Sequence, residues 1–169
     1  MTPSDYVLSL YPNSRGFGYV LFEGPLSPFD WGVKEIRGAA KNRRILLYIE
    51  RLLDRYRPAV LVLEDWLDEA YQRSERIIDL YERILALAKR KNIPVVCYPM
   101  KKIREFFAYR NALNKYEIAL HIAKIIPAFS YQVPPRREIW KGEDARQGLY
   151  DAAAVGLTYF GSRQTFGRL

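Results

Sequence analysis

Four consecutive aliphatic residues, Val60-Leu61-Val62-Leu63, follow closely on Pro58 and run directly into Glu64 and Asp65. A short unbroken run of strand-forming residues reads as a strand buried on both faces, inside a sheet that helices cover on either side. Carboxylates at the carboxyl end of such a strand stand where open α/β sheets hold their ligands. An isolated acid pair at that point more simply opens a solvated loop, or caps the helix that follows. Only other features of the chain raise the functional reading.

The segments on either side define the sheet. Tyr6–Tyr11 and Phe17–Phe22 alternate as strands, and Pro12-Asn13-Ser14-Arg15-Gly16 between them supplies turn residues, so the two form an antiparallel hairpin. Phe29–Val33 adds a third strand to the meander. Apolar residues then recur at helical spacing in Lys41–Tyr56, at Ile45, Leu46, Ile49, Leu52 and Leu53, and again from about Tyr71 to Lys91, at Ile77, Ile78, Tyr81, Ile84, Leu85 and Ala88. Ile93–Tyr98 reads as another strand with Pro94 at its start. Strand, helix, strand makes a crossover and hence a parallel pair. The expected architecture is therefore α/β, a mixed five-stranded sheet flanked by helices. A short helix around Ile103–Phe107, a helix capped by Asn114, a turn-rich basic linker from Pro127 to Lys141 and a final helix of small residues around Leu149–Tyr159 complete one domain of 169 residues. The alanines and Gly156 in that last helix permit close approach to the sheet.

Composition narrows the partners. Lys plus Arg exceed Asp plus Glu by 27 to 19, a formal charge of +8 that suits a phosphate-rich partner without demanding one. No apolar run reaches membrane-spanning length, and Met1–Asp5 lacks a signal-peptide pattern, so a cytoplasmic protein with no membrane partner is expected. Cys97, the single cysteine, lies in an apolar stretch and is expected in the core. His121, the single histidine, is expected as an ordinary, partly exposed helix residue. Gly16-Phe17-Gly18 precedes a strand rather than a helix and is no nucleotide-binding fingerprint.

Asp151 interrupts the apolar final helix and is the second conspicuous acid. Were that helix to cross the sheet, Asp151 would face Glu64, and the two could hold Mg²⁺ or Mn²⁺ for phosphodiester hydrolysis. Asp144 is a third candidate. Its seven-residue separation from Asp151, roughly 10 Å along a continuous helix, favours a role at the helix start instead.

In order along the chain, Val7–Tyr19, Leu61-Val62-Leu63-Glu64, Tyr98-Pro99 with Lys101-Lys102, Asn114-Lys115 and Asp151-Ala152 resemble the segments of RuvC-type Holliday junction resolvases, in the ribonuclease H-like superfamily. The resemblance implies an endonuclease with four acids, two Mg²⁺ or Mn²⁺ ions, branched DNA as substrate and commonly a homodimer. Glu64 and Asp151 match two of the acids. The first-strand aspartate is replaced by Tyr11, neutral at pH 7, and another late acid or histidine corresponds to Gly148. Asp5, Glu23, Asp65 or Asp144 would have to compensate in an active enzyme. The leading expectation is a nucleic-acid-binding homologue with a degenerate nuclease site, contacting DNA, or RNA, through Arg15, Lys101, Lys102, Arg104, Lys115, Arg136 and Arg137. An active metal-dependent endonuclease and a protein-interaction module on the same fold are the alternatives.

Overall fold

The computed structural model describes residues 5–68, 72–138 and 141–164. Its elements are β1 (Val7–Pro12), β2 (Gly16–Gly24), β3 (Ser27–Glu35), α1 (Lys41–Tyr56), β4 (Val60–Glu64), α2 (Glu75–Arg90), β5 (Val95–Tyr98), α3 (Met100–Ala108), α4 (Lys115–Ile125), a 3₁₀ turn (Pro127–Gln132) and α5 (Gln147–Gln164). One sheet runs β3-β2-β1-β4-β5. β1, β2 and β3 pair antiparallel, while β1–β4 and β4–β5 pair parallel, as the crossover pattern requires. The mixed five-stranded sheet expected from the sequence is the one observed.

Strand alternation sorts the core into two layers. Leu8 and Leu10 of β1 and Leu61 and Leu63 of β4 pack with α1 and α2, through Ile45, Ile49, Leu80 and Ile84. Val7 and Tyr11 of β1 and Val60 and Val62 of β4 face the opposite side, against α3, α4, the 3₁₀ turn and α5. The parallel register pairs Val7 with Val60 and Ser9 with Val62. Continuing it by two residues brings Tyr11 and Glu64 to the same level, and by alternation to the same face, beneath α5.

α5 lies directly on the sheet because its contact residues are small. A Cβ at Gly156 would stand 2.4 Å from Phe22 Cε2 and 3.0 Å from Ser9 Oγ. At the other end of the helix a Cβ on Gly18 would stand only 2.0 Å from the Gly148 carbonyl oxygen, so hairpin and helix touch backbone to backbone. Neither contact tolerates a side chain without a shift of the chain.

Several local expectations are corrected. Leu85, read as part of the buried stripe of α2, is 40% exposed, and Leu80 and Leu87 are buried instead. Cys97 is exposed, because β5 is an edge strand on which only Tyr98 is buried. The linker after α4 contains the 3₁₀ turn, which buries Phe129; the Phe129 carbonyl accepts the Tyr150 hydroxyl at 2.5 Å. The expected start of α2 at Tyr71 lies outside the described residues, while Ser74 caps the observed helix by accepting the Ile77 N–H. Asn114 caps α4 as expected, accepting the Glu117 N–H at 2.9 Å. Among the described residues no helix is long and apolar enough to cross a membrane.

The Gly18–Gly148 contact yields a stability prediction. Gly18→Ala should lower the unfolding free energy by about 1–3 kcal/mol, the usual cost of overpacking, read as a shifted urea midpoint with an unchanged slope.

Candidate active site

Glu64 ends β4 and is 1% exposed. A carboxylate so buried needs a partner, and the partner is Arg73, from the segment leading into α2, whose Nη2 donates to Glu64 Oε1. Burial raises the Glu64 pKa, against the opposing pull of the Arg73 guanidinium, the Tyr11 hydroxyl and Lys115. The Tyr11 hydroxyl is near enough to favour the charged carboxylate, yet Glu64 Oε2 is buried with no donor in hydrogen-bonding geometry. Burial would lower the Arg73 pKa, but Glu64 and Tyr11 together drive it upward, so the arginine is held charged. The Tyr11 ring centroid lies 6.0 Å from the guanidinium carbon.

Tyr11 lies within the field of both acids. Its hydroxyl pKa is raised first by burial and then by the negative charges of Asp151 and Glu64, so it is a neutral phenol at any physiological pH. Asp151, one turn into α5 and 13% exposed, accepts a hydrogen bond from Gln147 Nε2 at 3.1 Å and pairs with Lys115 Nζ at 3.5 Å. Lys115, the first residue of α4, also donates to Glu143 at 2.5 Å. Burial pushes the Asp151 pKa up to about 6, with Lys115 and Gln147 opposing and Glu143 reinforcing the rise. Glu64 and Asp151 thus each have a protein cation as counter-ion.

The other expected residues are spread around this centre. Asp144 lies before α5, held by Arg146 at 2.8 Å and lowered to about 2 by that pairing, and it lines a cleft with Arg15, Arg136, Arg137 and Lys141. The helix-start role expected for Asp144 is corrected: the first turn of α5 holds no acid, and Asp144 precedes it, its carbonyl accepting the Gln147 N–H while its carboxylate is taken up by Arg146. Arg104 and Lys115 border a second cleft of about 250 Å³ floored by Tyr11, Gln147 and Asp151. Lys101 and Lys102 open α3 and are exposed, Lys102 Nζ lying 4.8 Å from the Tyr98 ring centroid. Asp65 accepts the Leu67 N–H and so shapes the turn after β4. Gly148, at the position that the resemblance matches to an acid or histidine, faces the hairpin: a Cβ there would stand 3.1 Å from Asn13 Nδ2.

Sequence reasoning missed Arg73, Gln147 and Glu143 as members of the site. Arg73 belongs to no motif; the readable signal was Ser74-Glu75, a helix start that places the residue before it beside the carboxyl end of β4. Among the described residues no group of three or more His, Cys, Asp or Glu side chains is arranged to hold a metal ion. The residues present do not fit the two-ion arrangement implied by the resemblance.

This strand order, with α5 crossing the sheet above the ends of β1 and β4, is the ribonuclease H-like fold of RuvC-type Holliday junction resolvases. Among solved structures, "T. thermophilus RuvC in complex with Holliday junction substrate" superposes with a TM-score of 0.64 at 19% identity, covering 95% of this chain and 96% of that one. A second Thermus thermophilus RuvC structure gives 0.65 at 18%, covering 94% and 96%. The yeast mitochondrial Holliday junction resolvase Ydc2 gives 0.63 at 16%, covering 99% of this chain and 83% of that one. No protein-family model and no curated protein sequence matches the chain. At these identities the likeness is one of fold.

The raised pKa of Asp151 predicts a pH signature. The folded state holds this proton more tightly than the unfolded chain, so ionisation across the range from about pH 4 to 6 costs stability. Asp151→Asn, which mimics the protonated form, should be more stable than the parent at pH 8, by at most about 3 kcal/mol. The gain should vanish below about pH 4, as read from denaturant midpoints across that range.

Proposed function

We propose that this protein binds branched DNA through the basic surroundings of the Glu64–Asp151 centre and does not hydrolyse it. The observation that carries this reading is the state of the two acids: Arg73 neutralises Glu64 and Lys115 neutralises Asp151, in a fold shared with a resolvase solved on a Holliday junction substrate. Hydrolysis by two metal ions needs carboxylates free to bridge and bind them. Here a phenol occupies the first-strand position and each surviving acid has a protein counter-ion.

Binding is supported by the charge distribution. Arg15, Arg136, Arg137 and Lys141 line one cleft, alongside Glu138, Glu143 and Asp144, and Arg15, Arg37 and Lys41 line another at the β1–β2 turn, alongside Glu35. Lys41 donates to the Ser14 carbonyl and Arg76 to the Asn13 carbonyl, so the turn collects further cations on backbone oxygens rather than on carboxylates. The pKa of Lys41 is lowered first by burial and then by the neighbouring Arg76. Such a surface favours a polyanion, and the affinity it confers falls with salt.

The test is a labelled four-way junction incubated with purified protein and Mg²⁺ or Mn²⁺, with binding and cleavage read from the same reaction. The expected result is retention of the junction, weaker at higher salt, with no cleavage. Arg136→Ala with Arg137→Ala should weaken binding and reduce the salt slope by about 1 for each phosphate the variant no longer neutralises. Cleavage that disappears in Glu64→Ala would overturn the non-hydrolytic half of the reading. Failure to hold any DNA would overturn the other half and favour an RNA or protein partner.

A further inference from the structure

We infer that Arg73 is a built-in replacement for a divalent cation. Its guanidinium occupies the cation seat of Glu64, and Tyr11 is the matching half of the exchange. The inference deepens the non-hydrolytic reading above by naming what closes the site to metal.

Three observations converge on it. First, the seat is built: Glu64 is 1% exposed, its Oε1 accepts from Arg73, and its Oε2 is buried without a donor, a carboxylate oxygen with lone pairs still unspent. Second, the charges balance without an ion. Arg73 sits on Glu64 and Lys115 on Asp151, which shares it with Glu143, and a divalent cation added to that set would face two resident cations. Third, Tyr11 completes the packing. Its ring lies beside the guanidinium and its hydroxyl lies within the field of both carboxylates, where an aspartate would instead bring a third negative charge. An aspartate at position 11 needs an ion to hold the acids together; a neutral phenol needs only one guanidinium. The two residues work as a positioning pair, Tyr11 walling the seat and Arg73 filling it.

Arginine suits this task better than lysine. Its planar fork offers several donors, it does not lose its proton when buried, and its face can lie against an aromatic ring. The seat is reached from the segment just before α2, anchored by the Ser74 cap, so the guanidinium arrives from a fixed helix start.

The inference is tested by chemical rescue, with thermal unfolding as the readout. Wild-type protein should show no change in melting temperature with millimolar Mn²⁺ or methylguanidinium. Arg73→Ala should melt lower and recover several degrees with either cation but not with tetramethylammonium, which cannot donate a hydrogen bond. Adding Glu64→Gln to Arg73→Ala should abolish both recoveries. If Arg73→Ala does not fold alone, Mn²⁺ or methylguanidinium should drive its folding, followed by circular dichroism. A residue that merely fills space would give no such response. Tyr11→Asp combined with Arg73→Ala should bind Mn²⁺ at least tenfold more tightly than wild type, measured by electron paramagnetic resonance of the free ion.

A wild-type protein that binds Mn²⁺ and loses it in Glu64→Gln would overturn the inference. So would an Arg73→Ala protein that neither cation restores or folds. Each of those results leaves junction binding by the wild-type protein in metal-free buffer unaffected, whereas failure of the DNA-binding reading would appear as absent junction retention by wild type with the ion responses unchanged.

Discussion

The structure depends on the direct contact of α5 with the sheet. Glycine and alanine at the contact let the helix backbone close on the strands, to the point that a Cβ on Gly18 would meet the Gly148 carbonyl oxygen. That approach puts Asp151, one turn into α5, over the face to which alternation has already turned Tyr11 and Glu64. Glu64 is buried on that face, with Arg73 and Tyr11 beside it, and burial is likewise what raises Asp151.

A buried carboxylate is a liability that the fold can resolve in several ways. It can be protonated, paired with a metal ion, or paired with a protein cation. Here the burial of Glu64 raises its pKa, while Arg73 pulls toward the charged form. Asp151 shows the same balance: Lys115 divides itself between Asp151 and Glu143, and the Asp151 carboxyl remains raised to about 6. At both acids burial outweighs the protein cation beside them.

Much of this was legible in the sequence. The Val60–Leu63 run, the Asn13–Gly16 turn and the helical spacing in α1 gave the element order and the mixed sheet, because periodicity and turn chemistry are local signals. The pairing of Glu64 with Asp151 as candidates was readable from two acids breaking otherwise apolar segments. Arg73 was not, since a long side chain reaching back over nine residues leaves no periodic trace. Cys97 and Leu85 were misjudged for a related reason: apolar character does not tell which strand lies at the edge or which flank of a helix the sheet leaves open. The 3₁₀ turn was hidden in a linker whose prolines read as irregular, although Phe129 there fills the core.

The contact between Gly18 and Gly148 has a mechanical meaning. Where side chains separate two elements, a rotamer change can absorb a displacement of one before the other feels it. Backbone resting on backbone has no such compliance. The hairpin that carries Arg15 and the start of the helix that carries Asp151 are therefore coupled backbone to backbone, and a displacement of the one is felt by the other.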